Sequence, residues 1–268
     1  MSLPIVICGA LGKMGIETAG VVLADRNVAL RALVERTDHP KMGVDYGTCI
    51  GKGVLGLPLT DAIAEADFET SAIIDFSSPL STSALLKKAA ATKMRLVIGT
   101  TGLSSDDYRL AEAASRCSAL LISPNMSLGV NLLFLLTELV SSRLKNEFDI
   151  EIVEAHHRFK KDAPSGTARR LGEIAAYAYG LTYEQAVKNG RWGLIAGDRP
   201  KNEIGMHAVR GGDIVGDHTV LFAGIGERIE LRHMAHSRVP LAQGAVAAAK
   251  WLASQGPGHY TMRDVLGF

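Results

Sequence analysis

The sequence predicts an α/β protein in two parts: a parallel sheet covered by helices, and a smaller α+β unit built on a mixed or antiparallel sheet. Three observations carry this. Up to Asn125, short runs rich in β-branched and other apolar residues alternate with helical patterns, as parallel strands buried on both faces do. After Asn125 the pattern changes to one long apolar helix and then to strand-like segments separated by Gly-Asp turns. Finally, 268 residues with 47% apolar and 21% charged side chains are enough for one large core or two modest ones.

Taken in order, PIVICG is a first strand, followed by a helical pattern from Lys13 to Asp25 and a second strand in ALRALVER. SAIIDFS (71–77) and RLVIGTT (95–101) repeat the theme, with LSTSALLKKAAATK between them as an amphipathic crossover helix. ALLISPN (119–125) is one more strand, ending at a Pro-Asn turn. A helix is expected over 129–144, a strand in DIEIVEAHH, and a helix from Ser165 to Ala178. IGMHAVR, HTVLFAG and ERIELRHMA read as strands of the second sheet. PLAQGAVAAAKWLAS reads as a helix returning to the first part. The expected division is therefore 1–126 with a return over 238–268, and 127–237.

Composition excludes several classes. Lys and Arg number 29 against 28 Asp and Glu, so no overall basic field gathers nucleic acid. Cys8, Cys49 and Cys117 form neither a CxxC motif nor a disulfide framework, which favours a reducing compartment. The N-terminus lacks a basic leader region, and LGVNLLFLLTELV carries Asn131 and Glu138 and falls short of a bilayer span. A cytoplasmic protein without a membrane partner is the expectation.

Gly9-Ala10-Leu11-Gly12-Lys13-Met14-Gly15 follows the first strand and opens the first helix. Its GxxGxxG spacing is one glycine displaced from the GxGxxG of Rossmann-like sheets. There, backbone N–H groups and a helix N-terminus meet a pyrophosphate. Glu35 lies about 20 residues on, where a ribose-binding acid is expected. Arg36 follows it, and an arginine favours a 2′-phosphate as a carboxylate favours a free 2′-hydroxyl; the pair also reads as a solvated strand end. Gly99, Thr100 and Thr101, with Ser123, Pro124, Asn125 and Met126, fall where later parallel strands end, the ligand edge of such sheets. Ser104 with Asp107 resembles a helix cap.

The stretch EAHHRFKKDAPSGTA (154–168) is the other concentration of chemistry. Adjacent His156 and His157 on a strand point to opposite faces, and no cysteine or histidine has ligand spacing beside them, so no metal is expected. The basic cluster is bounded by Glu154 and Asp162, which suits a small anion better than nucleic acid. Ser165 or one of its neighbours can cap the following helix, leaving Gly166 and Thr167 near its first turn, where free N–H groups and the dipole end suit an anion. Lys160 adds an ammonium. His156 adds an imidazole, a group type whose unperturbed pKa of ~6.5 suits proton transfer at neutral pH.

With those residues in view, the sequence resembles the 4-hydroxy-tetrahydrodipicolinate (dihydrodipicolinate) reductase family of diaminopimelate and lysine synthesis. The family pattern E-x-H-H-x-x-K-x-D-x-P-S-G-T-A is met by Glu154, His156, His157, Lys160, Asp162, Pro164, Ser165, Gly166, Thr167 and Ala168. The resemblance continues through GALGKMG, DFSSP, IGTTG, PNMSLGVN and VRGGDIVGDHTVLFAGIGERIEL to MRDVL near the C-terminus. It implies reduction of a cyclic dicarboxylate with NADH or NADPH, His156 and Lys160 as proton-transfer groups, and His157, Ser165, Gly166 and Thr167 as substrate ligands. Gly9, Ala10, Leu11, Gly12, Lys13, Met14, Glu35, Arg36, Gly99, Thr100, Thr101 and Ser123 to Met126 would line the dinucleotide. The second domain would bind substrate and build a homotetramer through its sheet. Phe159 stands where histidine is common, Lys161 where an apolar residue is common, and Met126 where phenylalanine is common. Another two-domain dehydrogenase of an amino or keto acid would explain the glycine loop but not the full 154–168 stretch. A dinucleotide sensor without turnover would need no proton donor.

Overall fold

A computed structural model describes residues 2–144, 147–194 and 197–268. The chain divides into two compact units, Met1–Leu128 with Arg238–Phe268, and Gly129–Ser237.

In the first unit the chain runs through β1 (Leu3–Cys8), α1 (Lys13–Ala24), β2 (Val28–Val34), α2 (Tyr46–Cys49), β3 (Leu59–Thr60) and α3 (Glu65–Thr70). It continues with β4 (Ala72–Asp75), α4 (Pro79–Ala89), β5 (Arg95–Ile98), α5 (Ser105–Ala114) and β6 (Ala119–Ile122). These strands are continuous apolar runs, and Ile5, Val6, Ile7, Ile73, Ile74, Leu96 and Val97 are fully buried, as a sheet covered on both faces requires. Helix starts are written locally. Ser78 caps α4 ahead of Pro79, while Ser104 and Asp107 close a reciprocal capping box at α5.

The second unit begins in α6 (Leu128–Leu144) and runs through β7 (Asp149–His156), α7 (Gly166–Ala178), α8 (Tyr183–Ala186), β8 (Val187–Asn189), β9 (Ile204–Arg210), β10 (Gly216–Ala223) and β11 (Arg228–Ala235). The tail adds α9 (Val239–Leu252), β12 (Gly258–Tyr260) and α10 (Met262–Leu266) to the first unit. There α9 lays an alanine-rich face against α1, β4 and β5.

The first sheet is seven-stranded and parallel in the order β12-β6-β5-β4-β1-β2-β3. Strand order reverses between β1 and β4, so the loops leaving these strands part and leave a crevice at their carboxyl ends. The second sheet is mixed, in the order β11-β10-β7-β9-β8, with β7 parallel to β9 and antiparallel to β10. One face of it packs on α7 through Ile150, Ile152, Leu171, Ala175, Met206, Val220 and Phe222. On the opposite face Val153, Val209 and Met234 are exposed. Strands β3, β8 and β12 are two or three residues long, too short for periodicity to reveal.

Candidate active site

In the first unit the glycine loop turns at Gly9, whose φ of +73° belongs to glycine, and a Cβ there would lie 2.5 Å from the Phe76 carbonyl oxygen. Helix α1 then starts from Gly12 with no side-chain cap and no acid in its first turn. Its leading N–H groups and dipole end are therefore suited to an anion. In front of it lies a cavity of about 450 Å³ lined by Gly12, Lys13, Met14, Gly99, Thr100, Thr101, Pro124 and Met126, together with Phe76, Ser77 and Leu241.

The remaining residues expected at the cofactor are not on this wall. Ala10 is fully buried beneath the loop. The N–H of Leu11 donates to Glu35 Oε1 at 2.8 Å, so the acid at the end of β2 is tied to the glycine loop. Arg36 is exposed and faces Asp38 at 3.4 Å. The Ser123 hydroxyl donates to the Asn125 carbonyl at 2.8 Å, and Asn125 Oδ1 accepts from the Ser127 N–H, so these two shape the turn after β6.

Asp75 was not singled out from the sequence, although it stands in the DFSSP motif at the end of β4. Fully buried, it accepts from the Ser77 N–H at 3.0 Å, the Ser77 and Thr82 hydroxyls at 2.5 Å each, and the Thr100 hydroxyl at 3.2 Å. Burial pushes its carboxyl upward against those donors. It thereby ties two cavity-lining loops to one point.

Beside it, a Cβ on Gly99 would come within 2.1 Å of the Phe76 ring. Gly99→Ala is expected to displace that ring and weaken dinucleotide binding roughly ten-fold, since overpacking costs about 1–3 kcal/mol. Fluorescence titration with NADH and NADPH checks this; unchanged affinity would remove Phe76 from the cofactor site.

In the second unit the central strand β7 carries Glu154 and His156 on the face that receives α7. The Glu154 side chain is fully buried and accepts four hydrogen bonds. The Arg210 guanidinium grips both oxygens, at 2.8 and 2.7 Å. The Ser165 N–H donates to Oε1 at 3.0 Å, and His156 Nδ1 lies 2.6 Å from Oε2. Burial alone would raise this carboxyl, but Arg210, His156 and the Ser165 N–H outweigh it and hold the group below its ordinary range. Glu154 is therefore a carboxylate, an acceptor only, and His156 Nδ1 must be the donor.

The other expected residues gather around this centre. Ser165 caps α7 by accepting from the Ala168 N–H, and its Oγ shares a 2.9 Å hydrogen bond with His218 Nε2. Burial, and secondarily the charge of His156, pushes His218 down to about 4, so it is neutral near pH 7. Its ring meets that of His156 edge to face at 5.2 Å. Gly166 opens the helix with free space where a Cβ would stand. Lys160 pairs with Asp162 at 2.9 Å. His157 has a buried Nδ1 with no partner among the described residues. Arg210 and His218 escaped the sequence reading because they lie 56 and 53 residues from their partners Glu154 and Ser165. Among the described residues, no group of three or more His, Cys, Asp or Glu is placed to hold a metal ion.

Comparison with known proteins follows the same lines. The family model "Dihydrodipicolinate reductase, N-terminus" matches residues 3–126, and "Dihydrodipicolinate reductase, C-terminus" matches residues 129–266. A 4-hydroxy-tetrahydrodipicolinate reductase of Burkholderia pseudomallei is 47% identical over 266 residues, covering 99% of this chain and 98% of its own. One from Geotalea uraniireducens is 43% identical over 263 residues, 98% of each chain. The solved structure of a dipicolinate-bound dihydrodipicolinate reductase from Paenisporosarcina sp. superposes with a TM-score of 0.75 at 22% identity, covering 97% of this chain and 98% of that one; it speaks for the fold. With both halves of the chain matched and relatives this similar over their full length, the chain belongs to the dihydrodipicolinate reductase family.

Proposed function

We propose that this chain reduces 4-hydroxy-tetrahydrodipicolinate to tetrahydrodipicolinate with NADH or NADPH, a step of diaminopimelate and lysine synthesis. The observation that carries the reading is the second unit's cluster: an imidazole held by a buried carboxylate, a lysine, and the capped start of a helix, all supplied by one strand–loop–helix connection. A dicarboxylate needs cationic and N–H partners, and this connection offers both.

The first unit fits the dinucleotide. The uncapped start of α1 suits a pyrophosphate, and the cavity beside Gly99, Thr101 and Met126 suits a flat ring. Bound there, the nicotinamide supplies a hydride. The rest is the work of the chain's own groups. Gly166, Thr167, His157 and Lys160 hold the substrate carboxylates and fix its orientation. Loss of the 4-hydroxyl as water gives a conjugated imine; hydride addition at one of its carbons leaves an electron-rich neighbouring carbon, and His156, aided by Lys160, delivers the proton that carbon takes. Asp162 pairs with the lysine ammonium at 2.9 Å in the loop that leads into α7.

Lys160→Met is expected to raise the substrate KM about 10- to 100-fold, as loss of a charge-assisted hydrogen bond of about 1.5–3 kcal/mol would. Steady-state kinetics with varied substrate checks it; an unchanged KM would remove the lysine from binding.

We read the protein further as a cytoplasmic homotetramer joined through the open face of the second sheet. Val153, Val209 and Met234, exposed on that face, support the assembly. Its three free cysteines, Cys117 among them exposed, support a reducing compartment. No helix among the described residues is long and apolar enough to cross a membrane.

The direct test follows the loss of NADH or NADPH while the unstable substrate is generated from pyruvate and aspartate semialdehyde by its synthase. Oxidation that depends on the synthase supports the reading, and the two rates rank the cofactors. Dinucleotide binding without oxidation would overturn it in favour of a sensor or another substrate.

A further inference from the structure

Three groups from three segments converge on one buried carboxylate. Glu154 leaves the middle of β7, His156 follows two residues on, Arg210 ends β9 in register with His156, and Ser165 opens α7. The contacts are 2.6 to 3.0 Å, and Glu154 exposes nothing to solvent. A carboxylate in that position is costly unless every lone-pair direction is used. Here each oxygen takes one arm of the guanidinium and one further donor.

The consequence for His156 is geometric. Its Nδ1 faces an acceptor that cannot donate, so the ring keeps a proton on Nδ1 in both of its charge states. The proton that comes and goes is then the one on Nε2. That atom lies 3.0 Å from where a Cβ on Gly216 would stand, so a side chain there would press on the ring and displace it by a few tenths of an ångström. Ser165 binds the same carboxylate through its N–H, which places the start of α7 relative to that ring.

We infer that Glu154 is the positioning residue of the reaction: it fixes the His156 tautomer so that Nε2 alone exchanges protons, and it anchors the start of the substrate-binding helix beside that nitrogen. Arg210 belongs to the same device. It satisfies both oxygens of the carboxylate, sharing Oε2 with His156 and Oε1 with the Ser165 N–H, and, by donating to the Asp162 carbonyl at 2.6 Å, holds the loop carrying Lys160. The inference rests on the reductase reading given above.

Glu154→Gln tests it. With its oxygen in the place of Oε1, the amide still accepts from Ser165 and one guanidinium arm; its N–H₂, in the place of Oε2, faces Nδ1 and favours the opposite tautomer, with the proton on Nε2, and leaves the other guanidinium arm without its acceptor. Turnover is expected to fall about 10²- to 10⁴-fold, as when a triad aspartate becomes asparagine. Affinity for NADH and NADPH, and the substrate KM, should stay within about three-fold. Near-normal turnover in a folded Glu154→Gln protein would overturn the inference.

A measurement on the unaltered protein stands apart from both folding and turnover. With ¹⁵N-labelled histidine, the neutral His156 ring, identified by its loss in His156→Gln, should show the Nδ1–H pattern. An Nε2–H pattern would overturn the inference even if the protein is a reductase. The Nδ1–H pattern in a protein that oxidises neither cofactor would leave the tautomer assignment standing, and the reductase reading would be what failed.

Discussion

His156→Gln is expected to lower turnover about 10²- to 10⁴-fold, the usual worth of a positioned proton-transfer group. The affinity for NADH and NADPH should not change. Glutamine occupies a similar volume, and its amide N–H₂ can still donate to Glu154 Oε2, so the buried carboxylate keeps a partner. What glutamine lacks is a ring nitrogen able to accept and return a proton. Every residue lining the cofactor cavity belongs to the first unit, so a change on β7 leaves that cavity intact. The checks are steady-state rates with substrate generated in place and a separate dinucleotide titration. Turnover within a few-fold of the unaltered protein would take His156 out of the chemistry and leave Lys160 as the proton source.

Arg210→Ala is expected to destabilise the protein by about 3–5 kcal/mol at neutral pH, the cost of leaving one half of a buried ion pair. The pair is well placed for so large an effect. Glu154 is fully buried, the Arg210 side chain is 20% exposed, and the fork is bidentate. The pH dependence has a definite sign. Glu154 is held below its ordinary range in the folded chain, so the pair stabilises above the unfolded carboxyl pKa of about 4.3 and that gain is lost as pH falls through the folded value. The variant lacks this contribution, so the gap between the two proteins should narrow in acid. Urea unfolding at neutral and acidic pH measures it. A gap that stays constant or widens in acid would mean the guanidinium acts through packing and not through charge.

Much of the candidate site was legible in the sequence because its chemistry is local. Ser104 and Asp107 cap α5 as their spacing predicts, and Ser165 caps α7. The glycine loop, IGTTG and the turn at Pro124 to Met126 all reach one cavity, because each follows a parallel strand and parallel strands end at one edge. Leu241, which completes that cavity, was legible only as part of a helix, since nothing near it in sequence says which sheet α9 returns to. Asp75 was in plain view within DFSSP, but an acid at a strand end carries no mark of being buried. Its three hydroxyl partners, Ser77, Thr82 and Thr100, span two separate loops and a helix.

The second unit shows most clearly where local pattern stops. IGMHAVR and HTVLFAG are strands joined by a glycine turn, and proximity in sequence would pair them as a hairpin. In the structure β9 and β10 lie on either side of β7. That insertion sets His156 in register with Arg210 and Glu154 in register with His218. Alternating apolar residues dictate that each segment is a strand and which of its faces is buried, because side-chain direction repeats every two residues whatever the neighbour. They do not dictate which strand the neighbour is. Backbone hydrogen bonds are nearly the same for every pairing, and the choice falls to packing against α7 and to the ion pair that β7 and β9 close between them. The sequence thus determined the long elements, the caps of α5 and α7, the anion-ready helix starts and the candidates for moving a proton. The tertiary structure decided which arginine neutralises Glu154 and which histidine is buried against Ser165, because those depend on contacts between residues more than fifty positions apart; by keeping Glu154 buried and paired with Arg210, it also decided the acceptor that His156 Nδ1 faces.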